Sequence, residues 1–362
     1  MCISPIQIKN PYLGLGLLGL NRLHDTVNTY INVPCGHCPA CTSLRQSWIN
    51  QRVQMESLDN YLFYGTLTYN EDMVPWVHIG EYNLRVPDMS DFTKMVKRLR
   101  NEGLKFSYIV VSEYGGKTYR PHYHFMLSFP KDSITPNLSA GRFTIQMQIR
   151  SFEMSLYDKI LSSWCRNVGS HRSPVYKPLL TYFEKYGRHN YELHYASPSQ
   201  NGLADVSFYV SKYICKFDKR TNKLLQKIKL DNSLSDSETS ELISKVKPRC
   251  IISKQFGHFS RPSVQEHIKD CLIRNPEQPT FYDIYTGKPS PLSRYYTKHF
   301  VDINYALTRF YNSDSSELYS SHKDSTLSII EENIKRELDL NKEKKREKNA
   351  EKLENILHNK DF

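Results

Sequence analysis

The segment Arg120–Phe129 places a large apolar residue at every second position. This period of two predicts a β-strand, because successive side chains of a strand point to opposite faces. The apolar series has the composition of a core face: Tyr123, Phe125, Leu127 and Phe129. The opposite series begins with His122 and His124. The chain must therefore build a sheet that buries one face and holds two imidazoles side by side on the other.

A carboxylate is predicted to join these histidines. The segment Phe106–Glu113 is rich in β-branched and aromatic residues and is followed by Gly115-Gly116, a turn signal. In a hairpin centred near Lys117, Glu113 falls opposite His122, and directly opposed residues share a face. Two imidazoles and a carboxylate suit Mn²⁺, Mg²⁺ or Zn²⁺. The alternative is a pair of partly exposed strand histidines with no ligand role.

Charge and aromatic content favour a nucleic-acid partner. The chain of 362 residues is long enough for one large or two modest domains, and its formal net charge is +11. Tyrosine is abundant, with 25 residues against 16 phenylalanines and 3 tryptophans. Basic side chains contact phosphates and aromatic rings stack on bases. The alternative is a basic protein without such a partner.

We expect no membrane partner. No apolar stretch approaches spanning length, and the run Leu13–Leu20 is short and glycine-rich. That run also lacks a basic leader and a small-residue cleavage site, so a signal peptide is not expected. We therefore predict a reducing cytoplasm, in which the eight cysteines are thiols or metal ligands.

Three cysteines predict a structural zinc site. Cys35, Cys38 and Cys41 recur at a spacing of three residues and form a knuckle that can wrap one metal ion. Cys2 is the favoured fourth thiolate, ahead of His37. The alternative is a cysteine-rich turn without metal or redox chemistry.

A second group of polar residues lies in Leu203–Phe217. Its apolar residues recur at helical spacing, so the segment is predicted to be a helix with one buried stripe. A neighbouring face carries a doubled Tyr-x-x-Lys unit: Tyr209, Lys212, Tyr213 and Lys216. The alternative is a surface helix whose tyrosines pack at the edge of the core and whose lysines lie in water.

The remaining segments are assigned from periodicity and turn residues. Helices are predicted over Thr42–Leu58, from an N-cap at Ser90, and over Ser151–Asn167. A strand is predicted over Tyr61–Tyr69, and the proline-containing segment Asn70–Pro87 is predicted to be a loop. Lysine and glutamate dominate from Ser328 onward, which indicates a charged helical or disordered tail.

The order of these motifs resembles the HUH endonuclease superfamily, which comprises rolling-circle replication initiators and plasmid relaxases. The closer resemblance is to the replication initiators of microviruses, especially the gokushovirus branch. Four segments carry it: Phe63–Tyr69, Arg120–His124, Tyr209–Lys216, and Pro34–Cys41 together with Trp48, Arg52 and Glu56. It covers roughly residues 1–220 and, more loosely, Ile252–Pro262.

The resemblance implies an α+β fold with a central antiparallel sheet flanked by helices. We expect an N-terminal cysteine-rich segment and helix (1–60), a nicking domain (61–220), an accessory region (221–327) and the charged tail (328–362). The implied activity is cleavage of single-stranded DNA at a phage replication origin. Tyr209 and Tyr213 would be the nucleophiles, assisted by Lys212 and Lys216, with Mg²⁺ or Mn²⁺ on Glu113, His122 and His124. The products would be a 5′-phosphotyrosine and a 3′-hydroxyl primer, and later rejoining would release circular single strands.

Other proteins are needed for such a cycle. The pattern Gly-x-x-x-x-Gly-Lys-Ser/Thr is missing because Val111 occupies the first glycine position before Gly116-Lys-Thr118. No ATPase is therefore expected, and a host helicase and polymerase are predicted partners. Two other functions stay open: a non-catalytic zinc-dependent DNA-binding regulator, and a metal hydrolase acting on a small phosphate or nucleotide. Covalent attachment to a single-stranded oligonucleotide separates the nicking enzyme from both.

Overall fold

The computed structural model describes residues 3–10, 28–36, 38–116, 118–136, 141–180, 182–183, 188–189, 191–196, 219–274 and 280–297. The helices, in chain order, are α1 (Pro39–Ser57), α2 (Met89–Asn101), α3 (Lys131–Ile134), α4 (Arg142–Ser163), α5 (Lys219–Lys229), α6 (Asp236–Val246) and α7 (Pro262–Arg274). The first seven strands are β1 (Ile6–Lys9), β2 (Tyr30–Val33), β3 (Asn60–Thr68), β4 (Trp76–Ile79), β5 (Tyr82–Arg85), β6 (Ser107–Tyr114) and β7 (Pro121–Pro130). The others are β8 (Cys165–Asn167), β9 (Tyr176–Pro178), β10 (Tyr182–Phe183), β11 (Arg188–His189), β12 (Glu192–Tyr195), β13 (Cys250–Ile252), β14 (Thr280–Tyr282) and β15 (Pro289–Pro291). None of the helices in these ranges is long and apolar enough to cross a lipid bilayer.

A five-stranded sheet in the order β12-β3-β7-β6-β13 forms the centre of the molecule. All of its pairings are antiparallel, and β3 and β7 pair along their whole length, from Asn60 opposite Pro130 to Thr68 opposite His122. The prediction of an α+β fold with a central antiparallel sheet and helices is confirmed. The edge strand β13 comes from the region expected to be accessory, so that region completes the sheet.

The predicted apolar face of β7 is the main core. Tyr123, Phe125 and Leu127 are fully buried there together with Phe63 and Leu67 of β3. Helices α2 and α4 cover this face with one apolar stripe each: Phe92, Met95, Val96 and Leu99 from α2, and Ile149, Leu156 and Ile160 from α4. Burying side chains of this size stabilises a fold by about 1.5–3 kcal/mol each. The alternation in β7 therefore determines which side of the sheet the helices cover.

Helix α1 packs on the opposite face of the sheet. Its Ile49 and Val53 contact a smaller cluster that includes Leu62, Ile109 and Met126. Met126 belongs to the same face of β7 as His122 and His124, because all three lie at even positions of the strand. One face of the sheet therefore carries both the α1 contact and the two histidines.

A buried carboxylate holds α1 to the sheet and to the C-terminal segment. Glu56 is 1% exposed and accepts hydrogen bonds from the Ser128 hydroxyl at 2.5 Å and the Gly257 N–H at 2.5 Å. The Ser107 hydroxyl and the Arg261 guanidinium also donate to it. Buried charges are tolerated when paired and fully hydrogen-bonded, and this one meets that condition.

Three local predictions are wrong. The segment predicted as a loop forms the β4–β5 hairpin, because its prolines flank the strands and Gly80 adopts a positive φ of 54° at the turn. The helix predicted over Ser151–Asn167 begins earlier, at Arg142, and ends at Ser163, after which β8 pairs with β9. Asp88, not Ser90, caps α2, since its carboxylate accepts the Ser90 N–H at 2.9 Å.

Candidate active site

The β6–β7 hairpin brings Glu113 directly opposite His122, so the predicted register is confirmed. His124 follows on the same face, and its Nε2 atom lies 3.5 Å from Glu113 Oε2. The His124 and Glu113 side chains are only 9% and 12% exposed. Two imidazoles and a carboxylate thus share a largely buried patch at one end of the sheet.

Two threonines of β3 hold the imidazoles from behind. The Thr66 hydroxyl lies 3.1 Å from His124 Nδ1, and the Thr68 hydroxyl lies 3.0 Å from His122 Nδ1. Thr68 also donates to the Pro121 carbonyl at 3.5 Å, so its oxygen can accept the Nδ1–H of His122. That tautomer leaves the lone pair on Nε2, which is the arrangement usual in metal-binding histidines.

Glycine at position 115 keeps the space beside one imidazole open. A Cβ atom added to Gly115 would lie 2.6 Å from His122 Nε2, well inside van der Waals contact. A Cβ at the adjacent Gly116 would meet nothing within 4 Å. The need for glycine at position 115 therefore comes from access to His122 Nε2 and not from the turn alone.

The three ligand candidates share a face but are not tightly gathered. Among the described residues, the ligand atoms that come within 4.8 Å of one another in a group of three are the sulfurs of Cys35, Cys38 and Cys41. Glu113, His122 and His124 do not reach that spacing, so joint coordination requires a side-chain rotation. Their donor types still fit Mn²⁺ or Mg²⁺, which keep several water ligands and bind substrate phosphate oxygens.

A hydrogen-bonded network lies on the other side of the sheet, behind the histidines. Tyr123, between the two histidines in sequence, has its hydroxyl 2.8 Å from that of Tyr69, which donates to Asp91 at 3.0 Å. Arg166 donates to the same carboxylate at 2.5 Å. Burial raises the pKa of both tyrosines well above the ordinary value, so they stay protonated. These two tyrosines therefore stabilise this end of the sheet and are unsuited to act as nucleophiles.

The cysteine knuckle is formed as the spacing predicts. The three sulfurs lie within 4.8 Å of one another, and Cys38 N–H donates to Cys35 Sγ at 3.3 Å. Gly36 adopts a positive φ of 78° at the turn between the first two cysteines. Backbone hydrogen bonds from Cys41 and Ile3 lower the pKa of the Cys38 thiol to about 5, which favours the thiolate that binds metals. The donor set and spacing fit a zinc ion.

Several predicted site residues lie outside the described part of the chain. These are Cys2, His37, Tyr209, Lys212, Tyr213 and Lys216, together with the tail from Ser328. The residues that sequence reasoning missed are Thr66, Thr68 and Gly115. The first two are part of the Phe63–Tyr69 motif, but their role depends on the pairing of β3 with β7, which the motif alone does not specify.

Comparison with known proteins adds independent information. Residues 62–218 match the profile of the replication-associated protein ORF2 family. Replication-associated protein ORF2 of Spiroplasma virus 4 is 25% identical over 155 residues, which cover 39% of this chain and 48% of that protein. Replication-associated protein VP4 of Bdellovibrio phage phiMH2K is 30% identical over 134 residues, or 35% of this chain and 40% of that protein. The match therefore spans less than half the length of either relative. No solved structure matches the chain.

The matched region contains the threonines of β3, the histidines of β7 and the Tyr209–Lys216 segment. These are three of the four segments on which the resemblance to phage replication initiators depends. The predicted resemblance is thereby confirmed, and residues 62–218 carry the region that this chain shares with the replication-associated proteins of the ORF2 family.

Proposed function

We propose that the chain is a rolling-circle replication initiator with an HUH-type nicking domain, acting in the cytoplasm of an infected bacterium. The observation that carries the proposal is the pair of β7 histidines, each held through Nδ1 by a threonine, with Glu113 3.5 Å from His124. This arrangement lies inside the segment that matches phage replication-associated proteins. A host helicase and polymerase would supply strand separation and synthesis.

The proposed chemistry transfers a phosphoryl bond without loss of energy to hydrolysis. The phenolic oxygen of Tyr209 or Tyr213 forms an ester bond to the scissile phosphorus while the bond from phosphorus to the 3′ oxygen breaks. The phenol proton is lost to solvent or a nearby base, and the 3′ oxygen takes up a proton to become the primer hydroxyl. Lys212 and Lys216, each three residues after a tyrosine, would stabilise phosphate charge or lower the phenol pKa.

The protein's part in holding a cation falls to Glu113, His122 and His124. A divalent ion bound there would polarise a phosphate oxygen and orient the scissile bond. Thr66 and Thr68 would fix the imidazole orientation, and Gly115 would keep His122 Nε2 accessible. The chemistry of this donor set favours Mn²⁺ or Mg²⁺ over a softer ion.

Two tyrosines allow two successive transfers. Tyr209 and Tyr213 are four residues apart, about one turn of the predicted helix. The second can cleave a regenerated origin while the first still holds the displaced strand. Attack of the new 3′-hydroxyl on the first phosphotyrosine then rejoins the strand and releases a circle.

The test is a search for a covalent protein–DNA adduct. The full chain is incubated with end-labelled phage origin single strand and Mn²⁺, and a labelled band that survives denaturation is expected. The His122→Ala, His124→Ala double variant should lose the adduct yet retain DNA affinity, since affinity comes mainly from phosphate contacts. Full nicking by this double variant would exclude the assigned metal site.

The tyrosines are tested by removing only their hydroxyls. Each of Tyr209→Phe and Tyr213→Phe should retain some oligonucleotide cleavage, whereas the double variant should form no adduct. Mass spectrometry of trapped wild-type adducts should find DNA on either tyrosine. If DNA is found on one alone, and the Phe variant of the other completes a replication round, the mechanism uses a single tyrosine.

One second function is favoured by a specific observation. The Cys35, Cys38 and Cys41 triad fits a zinc site, and the chain is basic, so a non-catalytic zinc-dependent DNA-binding regulator would use both features. A regulator would bind the origin strand without becoming attached to it. The adduct experiment therefore separates the two functions directly.

A further inference from the structure

The hairpin of β4 and β5 has one buried and one exposed face. Its buried face packs Val77 and Tyr82 against Ile228 of α5 and Leu242 of α6. In the register of the hairpin, Trp76 pairs with Arg85 and His78 with Asn83, so these four residues share the opposite face. We call this set of four the outer face of the hairpin.

Trp76 is unusual among the tryptophans of the chain. It is 45% exposed, whereas Trp164 is fully buried and Trp48 is partly buried. Its ring is nearly parallel to that of His78, with an interplanar angle of 16° and centroids 6.4 Å apart. The Arg85 guanidinium lies 5.2 Å from the Trp76 ring centroid. The outer face thus presents two nearly parallel rings beside a cation, all accessible to solvent.

A shared carboxylate connects the outer face to the metal strand. Glu71 accepts hydrogen bonds from both Arg85 of the hairpin and Arg120, which is two residues before His122. Glu71 itself follows Thr68 by three residues. Two guanidinium groups on one carboxylate leave a net positive charge between the hairpin and the candidate active site. Glu71 is 53% exposed, so a phosphate group in solution can compete with it for the arginines.

We propose that the outer face of the hairpin binds the single-stranded DNA next to the scissile phosphate. Bases stack on Trp76 and His78, and the backbone phosphates contact Arg85 and Arg120. Single-strand sites combine such aromatic surfaces with positive charge, since every unpaired base offers a stackable ring face. A paired duplex hides these ring faces, so the outer face selects single strands. This inference rests on the proposed function, because it places the same substrate on a second surface.

Binding is measured separately from cleavage. A fluorescein-labelled thymidine oligonucleotide is titrated with the full chain in EDTA, and anisotropy gives the Kd. Trp76→Ala should weaken binding about 5-fold to 150-fold, the range for losing one stacked base. Phe143→Ala is the matched control, because Phe143 is 75% exposed on α4, away from the hairpin, and its loss should leave the Kd unchanged.

Salt dependence separates stacking from charge. Trp76→Ala should leave the slope of log affinity against log salt as it is in the wild type. Arg85→Gln should reduce the slope by about 0.7, the value for one phosphate contact on a single strand. Equal binding by Trp76→Ala and the wild type would overturn the proposal.

Intrinsic fluorescence provides a second readout that does not depend on an alanine variant folding well. Stacking on Trp76 should quench the emission of the wild type when the oligonucleotide is added. Trp76→Phe keeps an aromatic ring, so it should retain most of the affinity while this quenching disappears. Quenching of the same size in Trp76→Phe would mean that DNA contacts another tryptophan, and the proposal would be wrong.

Failure of this inference can be told apart from failure of the proposed function. If the wild type forms the covalent adduct and Trp76→Ala binds as well as the wild type, only the role of the hairpin is lost. If the wild type forms no adduct but binds single strands in a Trp76-dependent manner, nicking is excluded and the binding surface stands.

Discussion

The Thr68 hydroxyl lies 3.0 Å from Nδ1 of His122, although the two residues are 54 positions apart in the sequence. The pair sits at the end of the β3–β7 ladder, where the register places them directly opposite each other. Thr66 and His124 repeat the arrangement two residues further along at 3.1 Å. A strand that looks purely structural in sequence thus orients both candidate metal ligands.

Replacing Thr68 with valine should weaken metal binding while the fold survives. Valine keeps the branched shape but removes the oxygen that accepts the Nδ1–H of His122. Loss of such an orienting partner typically lowers metal affinity 10–100-fold. Titration of Mn²⁺ followed by calorimetry measures the change. Thr68→Ser should restore affinity, and Thr93→Val is the control, because the Thr93 hydroxyl donates within α2. Unchanged affinity in Thr68→Val would remove the orienting role.

Gly115→Ala should impair Mn²⁺ binding far more than Gly116→Ala. The added Cβ would lie 2.6 Å from His122 Nε2 in the first case and would meet nothing within 4 Å in the second. The two glycines are adjacent, so effects on the turn itself should be similar. Calorimetric Mn²⁺ titration and oligonucleotide nicking are compared for the two variants. Equal behaviour would mean that the space beside His122 is not used for a ligand.

Zinc should be present and should stabilise the N-terminal part of the chain. Elemental analysis of the His122→Ala, His124→Ala variant should find about one zinc per chain, because only the cysteine site remains. Cys41→Ser should lose the zinc and lower the Tm, whereas Cys250→Ser should not, since Cys250 is exposed on β13. A zinc-free protein with an unchanged Tm would contradict this prediction.

Glu56→Gln should strongly destabilise the fold. The change leaves the Arg261 guanidinium beside a neutral amide in a buried site, and breaking a buried ion pair costs about 3–5 kcal/mol. Urea unfolding measures the free energy. Glu102→Gln is the matched control: Glu102 pairs with Lys159 at 3.0 Å, but both side chains are more than a third exposed. An exposed pair contributes about 0–1 kcal/mol. Similar losses in both variants would show that Glu56 is not a central contact.

Local patterns were sufficient for the main features of the site. The period of two in Arg120–Phe129 predicted the buried face and the histidine face of β7, and the glycine pair predicted the hairpin that sets Glu113 opposite His122. The cysteine spacing likewise predicted the knuckle, because three ligands so close in sequence need only one turn to meet. Each of these features depends on neighbours within about twenty residues, a range over which strand and turn geometry is determined by residue type.

The tertiary structure decided what surrounds those residues. The Thr68–His122 contact, the Glu56–Gly257 contact across 201 residues and the joining of Arg85 to Arg120 by Glu71 all link segments whose separation in sequence carries no periodic signal. Their geometry follows from which strands pair and in what register. The sequence by itself therefore determined the candidate ligands and the face they share. Only the packed sheet decided which hydroxyls orient them, which glycine keeps them accessible and which exposed rings lie near them, because these are long-range contacts that exist only once the strands have paired.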